Sequence, residues 1–212
     1  MGMRVVVGSV VSAIVLMAWG FMFWVVLSAP GGMARAVPDE TALMDELRVR
    51  LPESDTYFFP LPPEAEPGRD EAPALEAFRQ RKTAGPVGII HFRRTGYDPL
   101  SPINYARDFL HLLLSSLLAA LLLAVALPVL ESYASRAAFV FGLGVFATVA
   151  VRLSDPVWWH LPWAHFLYGA LYDVAAWLIA GLVLAGIVKT PRGMSHLTDP
   201  SKPLWKRALE VD

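Results

Sequence analysis

Residues 164–189, AHFLYGALYDVAAWLIAGLVLAGIVK, form a 26-residue apolar run with one full charge before its terminal lysine, Asp173. Crossing a bilayer takes about 20 apolar residues at a rise of about 1.5 Å each, so the run is long enough to span. Asp173 stands nine residues into it, roughly 13 Å deep in a helix. An ionised carboxylate at that depth is costly unless it is paired, protonated or turned toward a wet cavity. The rest of the chain, or a partner, has to answer it.

Three further runs share this character. Residues 5–27 follow Arg4 and carry no charge for 23 positions. The small-x-small pattern Ala34-Arg35-Ala36 suggests signal cleavage, but the run exceeds the roughly 7–15 residues of a signal core, so the expectation is an uncleaved anchor. On it Gly8 and Ser12, and Ser9 and Ala13, stand four apart and permit close helix approach. Residues 109–130 carry His111, Ser115 and Ser116, with Pro128 near the exit. Residues 137–151 give only 15 apolar positions between Arg136 and Arg152. That stretch spans if its flanks are included and both arginines snorkel outward. Gly142 and Gly144 offer it a close neighbour. With 55% hydrophobic and 17% charged residues, against about 25% charged in a soluble domain, the composition agrees. A net charge of −1 leaves no bulk attraction for nucleic acid. Without cysteine, disulfides, thiolate metal sites and cysteine nucleophiles are excluded.

The expected fold is therefore membrane all-α: four transmembrane helices with a small extracytoplasmic α+β insertion between the first two. The boundaries are 1–30 for the anchor, 31–107 for the cap, 108–189 for a three-helix bundle (about 108–130, 135–153 and 164–188) and 190–212 for a tail. In the cap, ten Arg/Lys balance twelve Asp/Glu. Pro38-Asp39-Glu40-Thr41 reads as a helix start, and Leu43, Met44, Leu47 and Leu51 recur at helical spacing. Thr56 to Phe59 and the segment 87–92, VGIIHF, read as two strands that pair. The Pro-rich, acidic stretch 61–72 reads as a surface loop, and 73–82 as a second short helix ended by Gly85-Pro86. Such a ribbon is marginal alone and needs packing on other elements.

Short flanks set orientation. Lys189, Arg192, Lys202, Lys206 and Arg207 follow the fourth run, and Arg4 and Arg136 fall on the same side, against Arg152 beside Asp155 on the other. Both termini are thus expected in the cytoplasm, with the cap outside. Trp158, Trp159 and Trp163 then form an interfacial belt. The segment 202–209, KPLWKRAL, has the make-up of an amphipathic stretch on the inner leaflet, or of a disordered tail.

This topology gathers Asp108, His111, Arg152, His165, Tyr168, Tyr172 and Asp173 in the outer half of the bundle. Gly169, Asp173, Ala176 and Ala180 share one helix face, so the acid is expected to point inward, among small residues. Three readings of the polar cluster stay open. Arg152 or a tyrosine hydroxyl satisfies Asp173 and fixes helix register. Alternatively, Asp173 exchanges protons or binds a cation on a transport route. In the third, His111 and His165 on facing helices share a haem or copper. No Gly-rich phosphate loop, HExxH or GxSxG occurs. Arg93-Arg94 beside Asp98 reads as a solvated pair or as a site for an anionic headgroup.

Tyr57-Phe58-Phe59-Pro60, Gly85-Pro86-Val87-Gly88, Asp98-Pro99-Leu100-Ser101-Pro102 and an acid in the last span together give a layout that resembles a loose group of bacterial four-span inner-membrane proteins. The resemblance implies an anchor, an outward α/β segment and a three-helix bundle, and no activity. The functional expectation is a non-enzymatic accessory or scaffolding subunit of a larger assembly in a bacterial inner membrane, its partners being other integral membrane proteins and the bilayer, with its own copies as a further candidate partner. The alternatives are a small oligomeric proton-linked carrier centred on Asp173, and the haem or copper carrier.

Overall fold

A computed structural model describes residues 1–27, 34–64 and 71–189. The tail 190–212, with its basic residues and its amphipathic segment, lies outside the described residues, as do 28–33 and 65–70 of the Pro-rich loop. The chain divides into two compact units, one of Met1–Arg35 with Leu100–Asp212 and the other Ala36–Pro99.

In the first unit, four helical segments are long and apolar enough to cross a membrane: Gly2–Val26, Pro102–Ala126, Tyr133–Trp158 and Trp163–Ile187. Helix α1 covers Gly2–Phe21 and continues as a π-helical turn over Met22–Val26. Helix α4, Pro102–Ala126, begins seven residues before the apolar run expected to start at Phe109. The reason is local: Pro102 occupies the first helical position, where its missing N–H costs nothing. Helix α5, Tyr133–Ala147, starts on a capping box in which Ser132 and Ser135 exchange hydrogen bonds. It runs on through a π turn, Thr148–Arg152, into the short helix α6, Ser154–Trp158. The 15-residue third run thus becomes a full span by recruiting both flanks. Helix α7 is Trp163–Ile187.

Helices α1 and α7 lie side by side in the middle, α1 packed also on α4 and α7 on α5, whereas α4 and α5 touch little. The four spans make a row rather than a closed bundle. Small residues set the spacing. Gly8, Ser9, Ser12 and Ala13 are buried on α1, and Ser116 of α4 donates to the Ser12 hydroxyl across 3.1 Å. A Cβ at Gly144 would fall 1.9 Å from the Trp177 ring, and one at Gly181 would fall 2.7 Å from the Ala137 carbonyl oxygen. A Cβ at Gly142 would meet open space, so of the two expected contact glycines only Gly144 serves. At the far end Arg4 donates to the Lys189 carbonyl, and Arg136 donates to the carbonyls of Ala185, Leu130 and Glu131. Arg136 therefore closes an orphan carbonyl at the end of α7 and two carbonyls of the connection between α4 and α5.

The second unit holds α2, Glu40–Arg50, and α3, Ala72–Ala84, with an antiparallel ribbon of β1, Asp55–Phe59, and β2, Gly88–Phe92. Asp55 pairs with Phe92, Tyr57 with Ile90 and Phe59 with Gly88. Asp39 caps α2 by accepting from the Ala42 N–H. The Phe59 ring covers Gly88 so closely that a Cβ there would fall 2.4 Å from it. Arg94 reaches back to the carbonyls of Arg48 and Leu51 at 2.8 and 3.0 Å, closing the C-terminus of α2 where the helix dipole favours a cation. Arg93 lies over the Tyr97 ring at 5.0 Å. The arginine pair thus has structural partners. On α3, Arg79 and Gln80 bond to Glu76 and hold its carboxyl below the ordinary glutamate range. Neither helix has a buried residue.

Candidate functional site

Asp173 lies on α7 one turn from Gly169 and Ala176, both buried, as its inward face requires. Its partner comes from the third span. Thr148 donates to the Gly144 carbonyl across 2.9 Å, a side-chain bond of the kind that bends helices, and the π turn starts there. The wider turn re-aims the residues that follow it. Arg152, its last residue, sends Nε to the Asp173 carboxylate at 2.5 Å. Gly169 provides the room, because a Cβ there would stand 2.8 Å from an Arg152 terminal nitrogen. Instead of snorkelling outward, Arg152 turns inward and pairs. The two side chains remain 33% and 20% exposed, so the pair is part-buried and reachable.

Beside this pair is a cavity of about 490 Å³, within the range of small-molecule sites, about 300–1,000 Å³. Its polar lining comes from His111 and Ser115 of α4, Thr148 and Arg152 of the π turn, and Tyr172 and Asp173 of α7. Asp155 of α6 also lines it. The cavity occupies the gap where α4 and α5 fail to close the row.

Tyr168 belongs to a different group. Its ring lies 4.9 Å from Phe23 and 5.5 Å from Trp24. Tyr172 meets the same two rings at 5.3 and 5.1 Å and stacks on Trp19 at 6.4 Å. Trp19 also donates from Nε1 to the Tyr172 carbonyl. This aromatic layer fixes the π turn of α1 against α7 and forms the wall behind the ion pair. Spacing could have found it, since Trp19 and Phe23, like Tyr168 and Tyr172, stand four apart on one helix face.

Of the expected polar cluster, then, the structure brings together Arg152, Tyr172, Asp173 and His111. Asp108 is exposed on α4 and is not among the cavity residues, nor is His165, in the first turn of α7. Trp158, Trp159 and Trp163 are exposed at 75%, 51% and 57% around the α6–α7 connection. Among the described residues no group of three or more His, Asp or Glu side chains is gathered to hold a metal ion. Asp155 entered the sequence reading only as a charge to count. Its signal was the helical i, i+3 spacing from Arg152, hidden because residues 153–162 read as a connection.

The arrangement offers a neutralised ion pair, hydroxyls and an imidazole around an apolar-walled gap. Compared with known protein families, curated proteins and solved structures, the chain matches none.

Proposed function

We propose that the protein is a non-enzymatic accessory subunit, held in a bacterial inner membrane by its four spans and completed by a larger membrane assembly. The observation that carries this reading is the state of the Ala36–Pro99 unit. Neither α2 nor α3 buries a residue, and Leu43, Met44 and Leu75 are 40%, 46% and 56% exposed. A two-stranded ribbon is at best marginal without a face to pack on, and a domain this small needs an external source of stability. A partner's surface would bury the unmatched apolar side chains of α2. The side of the bundle that carries Arg4, Arg136 and Lys189 would face the cytoplasm by the positive-inside rule, which places the Ala36–Pro99 unit outside.

The test is purification of the tagged full chain, at native expression level in mild detergent, with identification of what accompanies it. A stoichiometric membrane complex is expected, and recovery of the partner should fall about tenfold in Leu43→Ser/Met44→Ser, the loss expected when two half-exposed apolar contacts are removed. A monodisperse protein that comes down only with itself would overturn the proposal.

A second reading is favoured by the cavity of about 490 Å³ at Asp173, which suits a proton-linked carrier. Such a carrier predicts that Asp173→Asn abolishes flux in proteoliposomes while the fold survives. The pairing of Asp173 with Arg152 favours the first reading, because a carboxylate already engaged by a guanidinium on the neighbouring span serves as a helix contact.

A further inference from the structure

The ion pair leaves its cavity out of electrical balance. Arg152 and Asp155 stand three residues apart, a spacing at which helical side chains are neighbours, yet Arg152 turns instead to Asp173 on α7 at 2.5 Å. Gly169 lets it do so, since a Cβ there would stand 2.8 Å from an Arg152 terminal nitrogen. Asp155 is half-buried and lines the same cavity, and it has no ion pair among the described residues. With histidine counted as neutral, the lining sets one cation, Arg152, against two carboxylates, Asp155 and Asp173. It is one positive charge short, and a carboxylate beside apolar walls is costly without a counter-charge.

The neutral polar groups point the same way. Ser115 donates its hydroxyl proton to the His111 carbonyl at 3.0 Å, and Thr148 donates its own to the Gly144 carbonyl at 2.9 Å. Each hydroxyl has a single proton to give, so toward the cavity both oxygens can only accept. A ligand that brings donors and a positive charge meets these groups, whereas an anion meets two carboxylates and two acceptors. Size then separates the cations. The cavity measures about 490 Å³, against about 30 Å³ for one water in the liquid, far more room than a metal ion fills. Among the described residues no group of three or more His, Asp or Glu side chains is gathered to ligate one. The remaining walls are apolar or aromatic, with Leu112, Val151, Ala176, Tyr172 and Trp177, and aromatic surface attracts organic cations. The space is not sealed, because the pair in its wall remains 33% and 20% exposed.

We infer that this cavity binds one small organic monocation, a primary ammonium carrying an apolar body. The ammonium bonds to the Asp155 carboxylate, and the body lies against Leu112, Ala176 and Trp177. The inference concerns the spans alone and stands apart from the subunit reading, which rests on the Ala36–Pro99 unit.

Calorimetric titration of the full-length protein in a non-ionic detergent tests it, with probes that share a phenyl body and differ in charge: 2-phenylethylammonium, 2-phenylethanol, zwitterionic phenylalanine and 3-phenylpropanoate. The ammonium is expected to bind at one site, about tenfold more tightly than each of the others, because it alone gives Asp155 a charge-assisted hydrogen bond and brings the missing charge without an anion. Asp155→Asn should erase that preference while leaving the affinity for the alcohol unchanged. Ala147→Leu, which fills part of the cavity, should weaken both the ammonium and the alcohol, and Gly142→Ala, in open space, should change neither. Both cavity variants are expected to keep the wild-type melting temperature. Should Asp155→Asn fail to fold, the comparison of probes on the wild type and the response to Ala147→Leu decide without it. An ammonium that binds no more tightly than the alcohol, or not at all, would overturn the proposal, as would a preference that survives Asp155→Asn. Tightest binding of phenylalanine would overturn the monocation in favour of a zwitterion, and binding untouched by Ala147→Leu would overturn the placement in this cavity.

Discussion

The two units of this chain are held together in opposite ways. Between the spans, contacts are close and specific: Trp177 lies where a Gly144 side chain would be, Ala180 and Leu184 are fully buried, and Ser116 bonds to Ser12 inside the core. In the Ala36–Pro99 unit the side-chain bonds are exposed, several of them within one helix and others, such as those of Arg94, reaching across the unit. Asp39 caps its own helix, Arg48 pairs with Asp45 and Arg50 with Glu46 along one face, and Arg94 closes the end of α2. Exposed helical pairs of this kind contribute only about 0.3–0.5 kcal/mol each. One unit is therefore specified by its own packing, whereas the other has well-formed elements with no shared core among the described residues. A lipid-embedded unit must pack helix on helix through small residues, and this chain has them. Among the described residues the Ala36–Pro99 unit has no comparable contacts between its helices, and the apolar side chains of α2 and α3 stay open.

The sharpest way to break the contrast is at the helix contacts. Gly144→Leu should destabilise the spans by about 3 kcal/mol or more through overpacking against Trp177, seen as a large drop in melting temperature in mild detergent. Gly142→Ala, two residues away in open space, should be neutral or stabilise by up to about 1 kcal/mol. Next in size is Asp173→Asn, which strands the Arg152 charge. Breaking a fully buried pair costs about 3–5 kcal/mol, but partial exposure and screening reduce this to roughly 1–2 kcal/mol. Arg152→Met combined with Asp173→Asn should recover part of the loss in a double-mutant cycle.

Effects on the other unit should be smaller and confined to it. Arg94→Ala frees the carbonyls of Arg48 and Leu51 and should cost about 1 kcal/mol of local stability, read as faster amide exchange at the C-terminal end of α2 with the spans unchanged. Smallest is the acid response of α3. Because Glu76 is held below its ordinary range in the folded helix, its contribution is present above the unfolded pKa and is lost as the pH falls through the folded one. Helical chemical shifts of α3 should weaken over that acid window, and Glu76→Gln should remove the dependence.

Much of this was legible in the residues, and the remainder was hidden for identifiable reasons. Asp173 needed a partner because of its depth, and Arg152, at the end of the neighbouring span, was one of the few groups able to serve. Ser12 and Ala13 marked the buried face of α1 by spacing alone. The paired strands followed from β-branched and aromatic runs, the first closed by Pro60 and the second opened by Pro86. The two π turns were not legible, since a wider turn leaves no periodic signature in so short a stretch, and without the second one the inward aim of Arg152 could not be foreseen. That Gly142 and Gly144 cannot both face one neighbour was decidable beforehand, as residues two apart on a helix point different ways. The open gap between α4 and α5 depends on which spans pair, and an apolar run looks alike on every face. The failure of α2 to find a core was unreadable too, because its apolar stripe is the same whether it meets its own chain or another.

The central claim, that a partner completes the Ala36–Pro99 unit, is tested most directly by hydrogen exchange on the full chain, once purified and once in native membranes. The account predicts that amides of α2 and of the β1–β2 ribbon exchange quickly in the purified protein and become protected in the membrane, while those of α1 and α7 are protected in both. Equally fast exchange of α2 and the ribbon in both preparations, or equally strong protection in both, would contradict it.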